Sequence, residues 1–163
     1  MKFDAEVSAL QRTPMFQGVD ASRLRLLAFM GEDRTFRSGE YVVRQGDISD
    51  SAYLILDGEA VVEVSFSGRA TTVATLGPSE VFGEIAMLCE TPRTASIRAA
   101  GELRTLMFER EGMLRLLREF PEMAIEMARS LAQRLERTTT ELAKLRAETE
   151  ASGGDGSGSG AGS

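Results

Sequence analysis

No histidine occurs among the 163 residues, and cysteine occurs once, at Cys89. Zinc and haem thereby lose their usual ligands, and acid–base catalysis loses its usual base near neutral pH. A lone cysteine excludes an internal disulfide and makes the cytoplasm the default expectation. No apolar run approaches the ~18 residues that a membrane-spanning helix needs. Met1-Lys2-Phe3-Asp4-Ala5-Glu6 carries acids where a secretion signal needs its apolar stretch. A basic surplus is missing as well, since 19 Lys and Arg face 25 Asp and Glu for a net charge of −6. A generic nucleic-acid binder carries the opposite balance. No enzymatic role and no metal or cofactor are expected from such an inventory.

What is present suits one globular domain: 42% of the residues are apolar. Residues 1–150 are expected to fold. From Ala151 to Ser163 the chain is almost pure Gly, Ser and Ala, which cannot bury apolar surface, so residues 151–163 are expected to be a flexible tail.

Phe3 to Leu10 reads as a short helix broken at Thr13-Pro14. Asp20 opens a second one with an apolar stripe of Leu24, Leu27 and Ala28, and Gly31 is its expected stop. From Arg34 to Phe108 the texture is that of strands. Thr35-Phe36, Tyr41–Val43, Ala52–Leu56, Ala60–Phe66, Ala70–Leu76, Ala95–Ala99 and Leu103–Phe108 alternate with turn residues, which predicts a small sandwich or barrel. Asp57-Gly58 and Ser67-Gly68 read as hairpin turns. A single helical turn over Phe82–Leu88, introduced by Gly83, interrupts the strands. Glu109–Glu119 is a short helix, and Pro121 opens a long one reaching Glu150. Leu131, Leu135, Thr138, Leu142 and Leu145 recur on it at heptad-like spacing, which predicts a homodimer seam.

The chemistry concentrates in Phe82-Gly83-Glu84, followed nine residues after the glutamate by Arg93-Thr94-Ala95. Glycine at a helix start lets backbone amides approach an anion. Arginine adds a planar fork suited to phosphate. A phosphate alone would repel Glu84, so the carboxylate makes sense if the ligand also offers a hydroxyl donor. An anion together with a sugar hydroxyl points to a nucleotide.

These two segments resemble the phosphate-binding cassette of the cyclic nucleotide-binding domain family, which includes the catabolite activators, the cyclic-nucleotide-gated channels and the regulatory subunits of protein kinase A. Val42–Asp47 and Ser49–Glu59 resemble that family's glycine-rich strand–turn–strand. The resemblance covers about residues 14–145. It implies an α+β fold: an antiparallel, jelly-roll-like β-roll with short N-terminal helices, a cassette helix and a long C-terminal helix. It also implies roles. Arg93, Thr94 and Ala95 would bind a cyclic phosphate, Glu84 would accept from the ribose 2′-hydroxyl, and Gly83 would lie against the ribose phosphate. Ile85, Ala86 and Phe82 would border the ligand, Val73 and Val81 would wall the base, and Thr138 and Thr139 would contact it. The ligand implied is cAMP, with cGMP left open by Thr94, and the C-terminal helix would move on a hinge at Arg118–Pro121.

The sequence departs from the family at Ser49, where many members have Ala or Gly, and the long helix runs into the Gly- and Ser-rich stretch, so no DNA-reading domain is expected. Three alternatives stand beside the sensor. One is a degenerate roll serving as a dimerisation or partner module without nucleotide. The second is a cupin-like metalloenzyme, disfavoured by the missing histidines. The third is the sensor fragment of a DNA-binding regulator.

Overall fold

The computed structural model describes residues 3–153. Helix α1 spans Asp4–Arg12, and a 3-10 turn covers Pro14–Phe16. Helix α2 spans Ala21–Met30, with the Asp20 carboxylate accepting from the Arg23 amide as its N-terminal cap. Eight strands follow: β1 Glu32–Phe36, β2 Tyr41–Val43, β3 Ser51–Asp57, β4 Ala60–Phe66, β5 Arg69–Leu76, β6 Val81–Phe82, β7 Ser96–Ala99 and β8 Leu103–Glu109. Helix α3, Glu84–Cys89, sits between β6 and β7, and α4 (Arg110–Glu119) and α5 (Pro121–Gly153) close the chain. Among the described residues no helix is long and apolar enough to cross a membrane.

The strands form two antiparallel four-stranded sheets, ordered β1-β8-β3-β6 and β2-β7-β4-β5. The first sheet is covered on both faces, and its sequence says why. In β3, Tyr53 and Ile55 point between the sheets, while Ala52 and Leu54 meet the helices. In β8, Leu103 and Met107 take the inner side, and Leu106 and Phe108 the outer. A strand buried on both faces needs apolar residues at every position rather than every second one. The inner core joins Val43, Ile55, Ala60, Phe82, Ile97 and Leu103. The outer one packs α1, α2, α4 and the first turns of α5 against β3 and β8, through Leu10, Leu24, Leu27, Met113, Met123 and Met127.

The architecture follows the expected α+β roll, with four differences. An eighth strand, β6, is only two residues long, below what period-2 patterning can reveal. β1 reaches back through Glu32, Asp33 and Arg34, because pairing with β8 overrides their weak strand propensity. Asp57-Gly58 is not a hairpin turn: β3 pairs with β6 and β8, β4 with β5 and β7, so the dipeptide is a corner between sheets. Gly58 has φ 92°, and a Cβ there would lie 2.3 Å from the Glu102 carbonyl oxygen. Finally, α5 continues through Ala151, Ser152 and Gly153, the first three residues of the expected tail, and residues 154–163 of it lie outside the described residues. Ser67-Gly68 does join β4 to β5 as a two-residue turn, with φ of 52° and 77°.

α5 packs through Met123, Met127 and Ser130, and from residue 132 to residue 153 every position is exposed. That stretch is about 33 Å of helix at ~1.5 Å per residue. Leu135, Leu142 and Leu145 are 68%, 58% and 59% exposed along it.

Candidate functional site

β6 delivers the chain to the site. Phe82 is buried in the inner core and stacks on Tyr53 at 5.2 Å between ring centroids, which anchors the strand end. Gly83 then turns with φ 82° and becomes the N-terminal cap of α3. Its carbonyl accepts from the Met87 amide, starting the helix, and also from Arg93 Nη1 at 3.0 Å. Met87 drives into the helical core, so α3 is held against the roll.

The segment carrying Arg93 is clamped by the loop after β2. The Arg93 amide donates to the Asp47 carbonyl at 2.9 Å, and the Gly46 amide donates to the Arg93 carbonyl at 2.8 Å. The Gln45 amide donates to Ser96 Oγ. The guanidinium points inward, and Arg93 as a whole is 5% exposed. It donates from Nε to Ser49 Oγ at 3.0 Å, from Nη2 to the same oxygen and to the Ser51 carbonyl, and from Nη1 to the Gly83 carbonyl. All of these acceptors are neutral, and among the described residues no carboxylate forms an ion pair with Arg93. Burial pushes its pKa below the ordinary arginine value, opposed at longer range by Tyr53, Asp50 and Glu84. Arginine remains a cation under such pressure. The result is a buried positive charge without a contacting counter-ion, a costly arrangement in a low-dielectric interior.

Beside it lies a hollow of about 450 Å³, measured out to its open mouth. Val43, Gly83, Glu84, Ile85, Ala86, Arg93, Thr94, Ala95 and Ile97 line it, together with Thr91 and Pro92. The first amides of α3 have no acceptor four residues back and belong to this wall. Seven of the residues singled out in the sequence therefore come together here: Gly83, Glu84, Ile85, Ala86, Arg93, Thr94 and Ala95.

The other expected site residues stand elsewhere, each for a local reason. Phe82 is a core residue, its ring committed to Tyr53. Val73 is 57% exposed and is the extra residue of a bulge in β5, since Val62 faces Ala74 and Glu63 faces Thr72. Val81 packs against the helical core and faces a separate cleft shared with Thr13, Met15 and Arg134. Thr138 and Thr139 are exposed on α5, their hydroxyls donating to the Arg134 and Leu135 carbonyls of their own helix.

Three residues that the sequence did not single out as ligands shape the site. Ser49 holds Arg93, as described. Arg134 Nη1 reaches from α5 to Glu84 Oε1 at 3.3 Å, so α3 and α5 are bridged. Its signal was present: Met123, Met127, Ser130 and Arg134 recur at 4, 3 and 4, so Arg134, though exposed, lies on the face of α5 that carries the buried residues. Arg110, at the start of α4, donates to the Met87 and Ala86 carbonyls and pairs with Glu90 at 3.3 Å. It thereby caps the open end of α3, where Glu90 takes a left-handed φ of 57°.

A paired-sheet roll whose buried arginine faces a glycine-started helix defines a class. The chain matches the cyclic nucleotide-binding domain over residues 33–120, and it belongs to that family. Among its relatives is the CRP-like cAMP-activated global transcriptional regulator of Mycobacterium tuberculosis, 31% identical over 137 residues, which are 83% of this chain and 61% of that protein. The crystal structure of the Thermus thermophilus catabolite activator protein superimposes with a TM-score of 0.74 at 32% identity, covering 82% of this chain and 63% of the other. The regulatory domain of Toxoplasma gondii protein kinase A, crystallised with cAMP, gives a TM-score of 0.65 at 31% identity over 69% of this chain and 44% of that one. The chain thus spans about three fifths of the length of the curated bacterial regulators it matches.

Proposed function

We propose that this chain is a non-catalytic sensor of a cyclic nucleotide, cAMP in the first place, which couples ligand binding to its C-terminal helix. The observation that carries it is Arg93, a buried guanidinium bonded only to neutral oxygens on the wall of an open hollow. A cyclic phosphate supplies the counter-ion. Thr94 and the Ala95 amide add donors to its oxygens, and the first amides of α3 add favourable dipoles. Glu84, 8% exposed, accepts the ribose 2′-hydroxyl through Oε2 while Oε1 stays with Arg134. Each bond to a charged group contributes a net ~1.5–3 kcal/mol, so this set supports micromolar binding, roughly −8 kcal/mol after association costs. Thr94 also suits the amino group of a syn guanine, which keeps cGMP in view. The lone cysteine and the non-catalytic inventory accord with a cytoplasmic regulator. Calorimetric titration with cAMP, cGMP and 5′-AMP tests the assignment. Micromolar binding of a cyclic nucleotide with much weaker binding of 5′-AMP is expected. No heat with either cyclic nucleotide would leave a roll that serves only as a partner module.

Coupling to α5 rests on the Arg134–Glu84 bridge and on the junction at Phe120, where α4 ends and α5 begins. Arg134 is 44% exposed in its side chain, so the pair is worth at most ~1 kcal/mol. Arg134→Ala is therefore expected to change cAMP affinity less than about fivefold. The same change is expected to abolish the ligand-dependent shift in distance between spin labels at Glu59→Cys and Lys144→Cys, in a Cys89→Ser background. A shift that survives intact removes the bridge from the mechanism.

The solvent-exposed leucines of α5 suit a second copy of the chain. Most helical stability in proteins comes from packing an apolar face, and Leu135 and Leu142 lie one heptad apart on the exposed part of α5. The double change Leu135→Glu, Leu142→Glu is expected to convert a dimer to a monomer in sedimentation velocity at tens of micromolar. An unchanged sedimentation coefficient excludes this seam.

A further inference from the structure

We propose that the Ser49 hydroxyl is an internal competitor for the phosphate-binding fork of Arg93, and that it sets the nucleotide concentration at which the site fills. The inference rests on the sensor reading above. A guanidinium recognises phosphate through two parallel N–H groups along one edge. On the Nε/Nη2 edge of Arg93 both donors converge on one atom, Ser49 Oγ. The second Nη2 hydrogen goes to the Ser51 carbonyl at 2.6 Å, and one Nη1 hydrogen goes to the Gly83 carbonyl at 3.0 Å. These bonds engage four of the five N–H groups that an arginine possesses.

The three acceptors are not equally able to leave. The Ser51 carbonyl belongs to β3, whose residue 51 pairs with Glu109. The Gly83 carbonyl also accepts the first helical bond of α3, from Met87. Ser49 lies outside any helix or strand, and its hydroxyl leaves by rotation about a single side-chain bond. Its departure exposes a complete edge for two phosphate oxygens. A phosphate arriving while Ser49 stays in place meets one Nη1 hydrogen only. Ser49 thus stabilises the ligand-free site, and the incoming anion must displace it.

A group that stabilises only the free state has a two-sided signature. Ser49→Ala is expected to bind cAMP about tenfold more tightly, since the exchange of a bond to a charged group no longer opposes binding. The same variant is expected to melt lower than wild type without ligand, and to close that gap at saturating cAMP. Ser49→Thr, which keeps the hydroxyl, is expected to restore wild-type affinity. Calorimetry and thermal melts of the full chain, with and without cAMP, read all three. A Ser49→Ala protein that binds cAMP equally well or more weakly, beside a wild type that binds, overturns this inference alone. Absence of cAMP binding in wild type and variants alike overturns the sensor reading, and this inference with it.

Discussion

Arg93→Ala is expected to weaken cAMP binding by at least about 100-fold, a loss of ~2.7 kcal/mol or more. Two terms combine. On the proposed reading, the cyclic phosphate loses the cation that pairs with it, and it remains in a hollow lined largely by apolar side chains. Stability moves less. The Gly83 carbonyl keeps the Met87 amide as a partner, and removing a buried charge that lacks a contacting anion relieves its own desolvation cost. The variant should therefore fold, and its melting temperature without ligand should stay near that of wild type. Arg93→Lys retains the charge but not the fork, and its affinity should fall between the two. Binding by Arg93→Ala within tenfold of wild type would mean that the anion lies elsewhere.

Gly83→Ala carries the second large effect, and here stability and binding fall together. The φ of 82° is left-handed, which costs a residue with a Cβ ~1–2 kcal/mol. The added Cβ would also lie 2.5 Å from Arg93 Nη1 and 2.9 Å from the Ser51 carbonyl oxygen. Arginine can shift, but the strand carbonyl cannot, so the guanidinium is pushed off its position. A destabilisation of ~2–4 kcal/mol is expected in chemical denaturation. Measurable cAMP binding should be lost even where the variant is folded. Gly46→Ala provides the comparison: its φ is 87°, but no atom crowds the position, so only the backbone cost applies. Equal losses at the two glycines would show that crowding against Arg93 is unimportant.

Much of this was legible in the chain. Gly83 and Arg93 stand out because glycine takes positive φ without the steric cost of a Cβ, and arginine offers a planar cationic fork. The double-sided burial of β3 and β8 shows as apolar runs, Ala52–Leu56 in the one and Leu106–Phe108 in the other. What stayed hidden depends on long-range register. Asp57-Gly58 has the composition of a hairpin, and only the partners of β3 and β4 reveal a corner. Val73 looks like a wall of the hollow, yet it lies on β5, where every position from Arg69 to Thr75 is exposed. Ser49 is a mild loop substitution in one dimension, because its meaning depends on a side chain 44 positions away. Thr138 and Thr139 follow the family pattern, yet their hydroxyls are tied to the helix that carries them.

The cap that Arg110 places on α3 has a mechanical side. One side chain, rooted where β8 becomes α4, grips two carbonyls at the far end of α3, and the Arg110 amide also holds the Asp50 carbonyl. Roll, α3 and the first turn of α4 are thereby riveted at a single point. A displacement of α3 would therefore pass through that side chain to the root of α4, and the junction at Phe120 is the proposed place for it to be taken up.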